Sequence, residues 1–333
     1  MVSANNVALL VNRNAKRVNE RVLDRIGEWI PEQQVFPTGS EEESVEAIRE
    51  ILDHGYESVF AAGGDGTFMG MVNIMDRELD GRDWPRLGLL RLGTGNAVAH
   101  MVSSGVPEED LRVFMTQEAQ DDVPLSFVRD SDGVLSPFGG FGWDAQILQD
   151  YNAVKESLGD TVLGPVVKNL GGYFTAAFTR TIPNVVKNAM QGKDVQVKVT
   201  SVGDQAFRLG ENGVVQEYIP AGETLFEGSL NVLMFGTTPY FGYGLKILPY
   251  AARYPSMFQI RLAHMHVLRT VPMLPSLWNG SYSGPLVSDF AVEKVRLNFD
   301  QPVPYQVGGD AGGMRTEMTL SVTAQPVRVI RLI

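Results

Sequence analysis

The chain has 333 residues, of which 44% are apolar and 20% are charged, and its formal net charge is −11. This length is more than one small core organises, so we expect two domains. The negative charge argues against a general nucleic-acid-binding protein, and the absence of cysteine excludes disulfides, thiol catalysis and zinc–thiolate sites.

The sequence shows no pattern of a signal peptide or of a membrane-spanning helix. Residues 1–6 lack a basic region followed by a long apolar core, so we expect no signal peptide. No window of 18 apolar residues is free of charge, which predicts no membrane-spanning helix. We therefore expect a cytoplasmic protein.

Strands and helices alternate over the first hundred residues. Apolar runs predict buried strands at residues 7–11, 34–37, 59–62 and 87–92. Helical patterns follow them at residues 18–30, 41–52, from Thr67 onward, and 97–102. Ser40 and Glu43 form a capping-box pattern at the start of the second helix. This order predicts a nucleotide-binding α/β domain with a doubly wound parallel sheet at residues 1–124.

The third strand runs into the turn Gly63-Gly64-Asp65-Gly66-Thr67. Its glycines permit close approach of a ligand, and Thr67 is a suitable N-cap, so free helix amides would suit a phosphate. Asp65 would repel phosphate, and its presence is explained if it handles Mg²⁺ or accepts a proton from an attacking hydroxyl. The alternative is an ordinary strand-to-helix turn stabilised by an aspartate.

A second glycine turn, Gly93-Thr94-Gly95-Asn96, follows the fourth strand. The carboxyl ends of parallel strands lie along one edge of the sheet, where open α/β sheets bind ligands. We therefore predict that both turns and the polar residues after the first two strands form one nucleotide site. Its candidate residues are Asn12, Arg13, Asn14, Thr38, Gly63, Gly64, Gly66, Thr67, Gly93, Thr94, Gly95 and Asn96.

The sequence pattern changes near residue 124. Short runs separated by Gly, Pro and Asn predict strands at 124–128, 134–138, 195–201, 216–219, 230–235, 257–263, 292–300 and 318–324, and helices at 151–159 and 162–189. We expect residues 125–333 to form an antiparallel β-sandwich that binds the substrate, with the active site in a cleft between the two domains. The last strand is a candidate to pack back on the first domain.

The two glycine turns, together with Asn12 and Thr38 in this order and spacing, resemble the diacylglycerol kinase catalytic domain family, which includes sphingosine and ceramide kinases. That family has a G-G-D-G-T turn followed by G-[ST]-x-N. Asn96-Ala97 is more similar to the sphingoid-kinase version than to the bacterial version, which has Asp after the Asn. The resemblance implies ATP and Mg²⁺ as cofactors, and it supports Asp65 as general base and metal ligand.

Three segments extend the resemblance into the second domain. Residues 140–145 are similar to G-x-G-x-D-A, which implies that Asp144 contacts a lipid head group. Residues 225–232 are similar to a D-G-x-L-x-V segment, which implies that Glu227 binds a metal. Residues 307–310 are similar to V-D-G-E, which implies a catalytic role for Asp310 near the nucleotide. The ordinary alternatives are a capping Asp144, a solvated Glu227 and an Asp310 that only shapes a turn.

The sequence also departs from the family pattern. Gly308 stands where V-D-G-E has Asp, and Gly70 stands where an acidic residue usually follows the first turn by three positions. The N-terminal loop lacks the usual N-P-x-x-G. These changes remove acidic groups that help with Mg²⁺-nucleotide in relatives, and they bear on activity more than on fold.

The resemblance implies an ATP-dependent lipid kinase that phosphorylates the primary hydroxyl of a sphingoid base, ceramide or diacylglycerol. It implies transient peripheral contact at the inner face of a membrane and no nucleic-acid partner, and a homodimer is one assembly we consider. Apolar segments at 173–178 and 240–245 are candidates to hold the lipid tail, and residues 271–275 are a candidate membrane-facing lip, although such segments more often belong to a sandwich core. The alternatives are a soluble-substrate kinase, since NAD kinases and phosphofructokinases share G-G-D-G-[TS], and a catalytically weak nucleotide- or lipid-binding homologue.

Overall fold

A computed structural model of the chain describes residues 6–15, 17–92, 98–99, 102, 104–116, 121–142, 145–146, 195–241, 245–263, 273, 276, 279–282, 284 and 286–331. The chain divides into two compact units. The first comprises Met1–Ser126, Tyr240–Gly244 and Ala324–Ile333, and the second comprises Phe127–Pro239 and Leu245–Thr323.

The helices and strands whose bounds are described follow one another along both units. The helices are α1 (Glu20–Gly27), α2 (Glu41–His54), α3 (Asp65–Glu78) and α4 (Pro107–Thr116). The strands are β1 (Val7–Asn12), β2 (Val35–Thr38), β3 (Ser58–Gly63), β4 (Arg86–Arg91), β5 (Asp122–Leu125), β6 (Val128–Arg129), β7 (Leu135–Ser136), β8 (Phe138–Gly142), β9 (Val195–Ser201), β10 (Ala206–Leu209), β11 (Val215–Tyr218), β12 (Thr224–Leu230), β13 (Val232–Gly236), β14 (Phe258–Ala263), β15 (Val287–Val292), β16 (Lys294–Val307), β17 (Asp310–Val322) and β18 (Val327–Ile330).

The first unit contains a six-stranded sheet in the order β2-β1-β3-β4-β18-β5. Strand β1 is parallel to both β2 and β3, and β3 is parallel to β4. The helices α1, α2 and α3 connect these strands in the sequence, so the predicted doubly wound parallel sheet is confirmed. The last strand, β18, is parallel to β4 and antiparallel to β5, so the carboxyl-terminal segment lies in this sheet.

The central strands of this sheet are buried over nearly their whole length. All six residues of β3 are buried, and so are the first five of β1. The residues of one face form a core cluster with side chains of α1 and α4, including Ile26 and Phe114. Helix α3 buries Phe68, Val72 and Met75. Continuous apolar runs are expected where helices cover both faces of a sheet.

Two helices begin at residues other than the predicted ones. Helix α1 begins at Glu20, because the extended Asn19 is the N-cap and its side chain accepts a hydrogen bond from the Val22 nitrogen at 3.1 Å. Helix α3 begins at Asp65, because Gly64 is its N-cap, with φ −108° and ψ −170°. The prediction that Thr67 caps this helix is therefore wrong, and Thr67 lies inside its first turn.

Helix α4 lies outside the predicted helices. Its first residue is Pro107, and its first turn contains Glu108, Glu109 and Asp110. Proline at the first helical position and acidic residues in the first turn are both common signals for a helix start, so local sequence does favour this helix.

The second unit contains a twelve-stranded sheet in which every described strand pair is antiparallel. The 14-residue strand β16 connects its parts: residues 295–299 pair with β9, residues 305–307 pair with β8, and β17 pairs along the other edge. Buried side chains from β9, such as Val199, share one core with Ile260 of β14 and Phe290 of β15. The predicted separate antiparallel β-domain is therefore confirmed, and its strands share one buried core.

Other predictions for the second half fall outside the described residues. These are the helices at 151–159 and 162–189 and the tail-binding segment at 173–178, with most of the segment at 271–275. Among the described residues, no helix is long and apolar enough to cross a membrane.

Candidate active site

Four parallel strands end along one edge of the first sheet. β1 ends at Asn12, which is in register with Thr38 at the end of β2. β3 ends at Gly63, which is in register with Arg91 at the end of β4. This edge therefore brings together candidate residues that are far apart in the sequence, at the location where such sheets bind ligands.

A side-chain hydrogen bond joins the end of β1 to the first glycine turn. The Asn12 Nδ2 donates to the Thr67 Oγ1 at 2.9 Å, and the Asn12 Oδ1 accepts from the Asn14 nitrogen, also at 2.9 Å. The Thr67 side chain lies directly over Gly63, where an added Cβ would be 2.2 Å from the hydroxyl oxygen. Glycine is thus required at residue 63 so that Thr67 can reach Asn12.

The amino end of α3 has the properties of an anion site. Its N-cap residue is Gly64, which has no side chain that could accept a hydrogen bond from the first-turn amides. Gly66 is exposed, and a Cβ there would meet nothing within 4 Å. The first amides of a helix have no partner within the helix, and they and the positive end of the helix dipole favour a phosphate group at such an end.

Asp65 connects the first turn to the helix that follows the second. Its half-buried carboxylate accepts a hydrogen bond from the Val98 nitrogen, with 3.1 Å between Oδ1 and N. Val98 comes two residues after Asn96, the last residue of the second turn. The second turn itself, Gly93-Thr94-Gly95-Asn96, lies outside the described residues.

Arg13 and Asn14 both contact the segment around Gly39. The Asn14 Nδ2 donates to the Gly39 carbonyl at 2.8 Å. The Glu43 carboxylate accepts from the Gly39 nitrogen and from the Arg13 Nη2, both at 2.6 Å. These bonds, that from Gly39 first, hold the pKa of Glu43 below its ordinary value. The exposed Arg13 guanidinium therefore already has a carboxylate partner.

The predicted capping box at Ser40 is only half formed. The Ser40 Oγ accepts a hydrogen bond from the Glu43 nitrogen at 3.2 Å, as a cap should. The Glu43 carboxylate bonds to the Gly39 amide instead of returning to Ser40, which corrects that prediction. Thr38 is buried, and its hydroxyl donates to the Val11 carbonyl at 3.4 Å.

Arg91 belongs to the same edge, although it is not among the predicted site residues. It is half-buried, and its Nε is buried and has no hydrogen-bond partner among the residues that the structure describes. A sequence signal for it does exist, because Arg91 is the one charged residue in the apolar run Leu87–Leu92 and stands just before the second glycine turn. Charged residues at the carboxyl end of a buried strand are candidates for ligand contact.

Of the three candidates in the second unit, Asp310 and Glu227 are described and Asp144 is not. Asp310 is exposed beside the tight turn between β16 and β17, in which Gly308 and Gly309 have φ values of 60° and 92°. Partial desolvation raises the pKa of the Asp310 carboxyl above its ordinary value. Glu227 lies on β12 opposite Lys198 of β9, and 3.4 Å separate its Oε2 from the Lys198 Nζ.

The donor set on the first sheet fits a nucleotide phosphate. The Asn12 amide, the α3 amides and Arg91 supply hydrogen-bond donors, and Asp65 supplies one carboxylate. Within the part of the chain that the structure describes, no group of three or more His, Cys, Asp or Glu could hold a metal. Mg²⁺ that arrives with a nucleotide needs only one or two carboxylates, because phosphates and water complete its shell. A dedicated protein cage is therefore unnecessary.

Known proteins are similar to parts of this chain. Residues 6–123 match the diacylglycerol kinase catalytic domain. A Stenotrophomonas maltophilia (strain K279a) protein named "Probable lipid kinase YegS-like" is 27% identical over 151 residues, which is 42% of this chain and 48% of that protein. The chain thus aligns with about half the length of this curated relative. The predicted resemblance to the diacylglycerol kinase catalytic domain is confirmed for the first domain.

Solved structures with low sequence identity to this chain have a similar fold. A crystal structure of a diacylglycerol kinase from Bacillus anthracis str. Sterne has a TM-score of 0.63 at 11% identity and covers 99% of this chain and 98% of its own. Two further structures from that organism have TM-scores of 0.69 and 0.68, each at 14% identity. The first match covers 98% of this chain and 97% of the solved chain, and the second covers 99% of this chain and 99% of the solved chain.

Proposed function

We propose that this chain is an ATP-dependent lipid kinase, which transfers the γ-phosphoryl group to the primary hydroxyl of a sphingoid base, ceramide or diacylglycerol. The observation that carries the proposal is the hydrogen bond from the Val98 nitrogen to Asp65. It holds a carboxylate between an uncapped helix amino end and the segment after a second glycine turn. The likeness of residues 6–123 to the diacylglycerol kinase catalytic domain supports the kinase activity.

Phosphoryl transfer depends more on positioning and charge neutralisation than on covalent help from the protein. The first-turn amides of α3 would bind phosphate oxygens, and Asn12 would hold the turn in place through Thr67. Asp65 would accept the proton of the attacking hydroxyl, while the Val98 amide fixes the orientation of the carboxylate. Bound ATP supplies the phosphoryl group, and the Mg²⁺ that accompanies it offsets the negative charge of the phosphates.

We propose that Asp144 recognises the polar head group of the acceptor and that Asp310 acts near the nucleotide, as the resemblance implies. Glu227 as a metal ligand also remains a proposal. Its observed partner is Lys198, so a metal would have to compete with an exposed ion pair, which is worth little in water.

The test is transfer of radiolabelled phosphate from ATP to a panel of sphingosine, ceramide, diacylglycerol, monoacylglycerol and NAD. The matched variant is Asp65→Asn, because the Asn Oδ1 still accepts from Val98 while the side chain loses its basicity. We expect the variant to keep the stability and ATP affinity of the wild type and to lose on the order of 10²–10⁴ in transfer rate. Full activity in Asp65→Asn would exclude Asp65 as the base.

A second candidate is a catalytically weak binding protein, favoured by the turn at Gly308 and Gly309. Where relatives have an acidic residue, this turn has only backbone at residue 308. A wild type that binds ATP but phosphorylates none of the lipids supports this alternative. Transfer to NAD alone would instead identify a soluble-substrate kinase.

Transient contact with a membrane surface is a separate part of the proposal. A lipid acceptor resides in a bilayer, so the protein must reach it there. Sedimentation with liposomes, with and without an ATP analogue, measures this contact directly. Recovery of all the protein in the supernatant under both conditions would contradict it.

A further inference from the structure

Arg91 is the last residue of β4, beside the last residue of β3. Its register partner is Gly63, and the Leu92 nitrogen donates to the Gly63 carbonyl at 2.8 Å. Side chains of register partners in adjacent strands project from the same face of a sheet. The face of Gly63 is the one on which Thr67 of α3 lies. Arg91 therefore emerges on the same face as the first turn of α3.

The Arg91 guanidinium is incompletely satisfied within the protein. Its Nε is buried, and no described residue forms a hydrogen bond with it. Arg86, at the opposite end of the same strand, is by contrast paired with Asp122, with 2.6 Å between Nη2 and Oδ1. A buried N–H group without an acceptor destabilises the structure unless a ligand or water satisfies it.

The charges at this edge also favour an anion next to Arg91. Two carboxylates, Asp65 and Glu43, are close to the ends of β3 and β2, and the Arg13 guanidinium is already bonded to Glu43. A polyphosphate near Asp65 needs a cation that no carboxylate neutralises. A guanidinium with free donors binds phosphate oxygens in a bidentate arrangement.

We propose that Arg91 binds phosphoryl oxygens of the nucleotide and aligns its phosphate chain between the end of β4 and the first turn of α3. This inference rests on the proposed kinase function and adds a residue that the glycine turns do not contain. The shared ligand chemistry is a phosphate group, which a nucleotide or free inorganic phosphate can both provide. Contact between Arg91 and phosphate is a binding role, which is distinct from proton transfer by Asp65.

The experiment compares wild type, Arg91→Gln and Arg91→Lys by calorimetric titration with ATP, ADP, tripolyphosphate, adenosine and inorganic phosphate. We expect Arg91→Gln to weaken the binding of ATP, ADP and tripolyphosphate roughly ten- to a hundredfold and to leave the affinity for adenosine unchanged. Arg91→Lys keeps the charge but lacks the planar guanidinium group, so its affinities should lie between those of the wild type and Arg91→Gln. The control is Arg86→Gln, which should lower the melting temperature but leave ATP affinity as in the wild type.

The outcomes separate this inference from the kinase proposal. Equal ATP affinity in wild type and Arg91→Gln, with lipid transfer intact, overturns the role of Arg91 alone. If Arg91→Gln does not fold, the same conclusion follows from Arg91→Lys with wild-type affinity and the wild-type Michaelis constant for ATP. A weakening confined to inorganic phosphate overturns the assignment to the nucleotide. A wild type that binds polyphosphates through Arg91 but transfers nothing supports the binding role and contradicts the kinase.

Discussion

The Asp65 Oδ1 accepts a hydrogen bond from the Val98 nitrogen at 3.1 Å, across 33 residues of sequence. Because a backbone amide supplies this bond, the proposed catalytic carboxylate is oriented by the main chain of the next strand–helix unit. A shift of that unit would move the carboxylate with it. The hydrogen bond thus ties the first glycine turn to the segment that begins at Val98.

The Asn12–Thr67 hydrogen bond should couple ATP binding to the stability of the first unit. We expect Thr67→Val, which removes the hydroxyl, to lower the free energy of unfolding by about 0.5–1.5 kcal/mol and to weaken ATP binding. Thr67→Ser retains the hydroxyl and is the matched control. In a double-mutant cycle with Asn12→Ala, measured by urea unfolding, strictly additive effects would show that the two side chains do not interact.

The two glycines at residues 63 and 66 should respond differently to alanine. In Gly63→Ala the new methyl carbon would lie 2.2 Å from the Thr67 Oγ1 and 2.5 Å from its Cβ, so we expect a loss of about 1–3 kcal/mol in stability. In Gly66→Ala nothing lies within 4 Å, and we expect stability unchanged or raised by up to about 1 kcal/mol. Thermal unfolding of both variants checks this. Equal destabilisation would contradict the described packing of Thr67.

An acidic residue at position 70 should improve use of Mg²⁺-ATP. Gly70 is exposed on α3, and a Cβ there would meet nothing within 4 Å, so a side chain fits without rearrangement. We expect Gly70→Asp to raise kcat/KM for Mg²⁺-ATP by roughly 2- to 5-fold, as for an exposed charge interaction of about 0.5–1 kcal/mol. Gly70→Asn has similar size and helix propensity and is the control. If both variants gain equally, charge is not the cause.

The pH dependence of stability should reveal the raised pKa of Asp310. Desolvation makes the folded state bind the Asp310 proton more tightly than the unfolded state does. As pH rises from about 3.9, the unfolded value, through the raised folded value, the wild type loses stability relative to Asp310→Asn, which cannot ionise. Urea unfolding of both proteins between pH 3.5 and pH 7 measures the difference. If the wild type instead gains stability relative to Asp310→Asn as pH rises, the expectation is contradicted.

Much of the first unit follows from local sequence. The continuous apolar runs before Asn12, Gly63 and Gly93 have the pattern of strands covered on both faces, and helical spacing between them favours a parallel order. The place of β18 in the same sheet does not follow from any local pattern. Its partners β4 and β5 lie far earlier in the sequence, so this pairing depends on tertiary folding.

The start of α3 shows why the site is harder to predict than the sheet. Thr67 has a high preference for the N-cap, but Gly64 takes that position and the Thr67 hydroxyl accepts from Asn12. A helix cap is a local interaction, whereas the partner of Thr67 is 55 residues away. Tertiary contact therefore overrode a local preference.

The sequence by itself determined the order of the first four strands and of the helices between them, the two glycine turns and the presence of a carboxylate in the first of them. These features depend on residue type and spacing, which act over a few residues. Only the tertiary structure decided that Asp65 bonds to Val98, that Glu43 pairs with Arg13 and that the Arg91 Nε has no partner within the described part of the chain. Those relationships depend on which strands become neighbours, and strand order is fixed by packing of the whole unit.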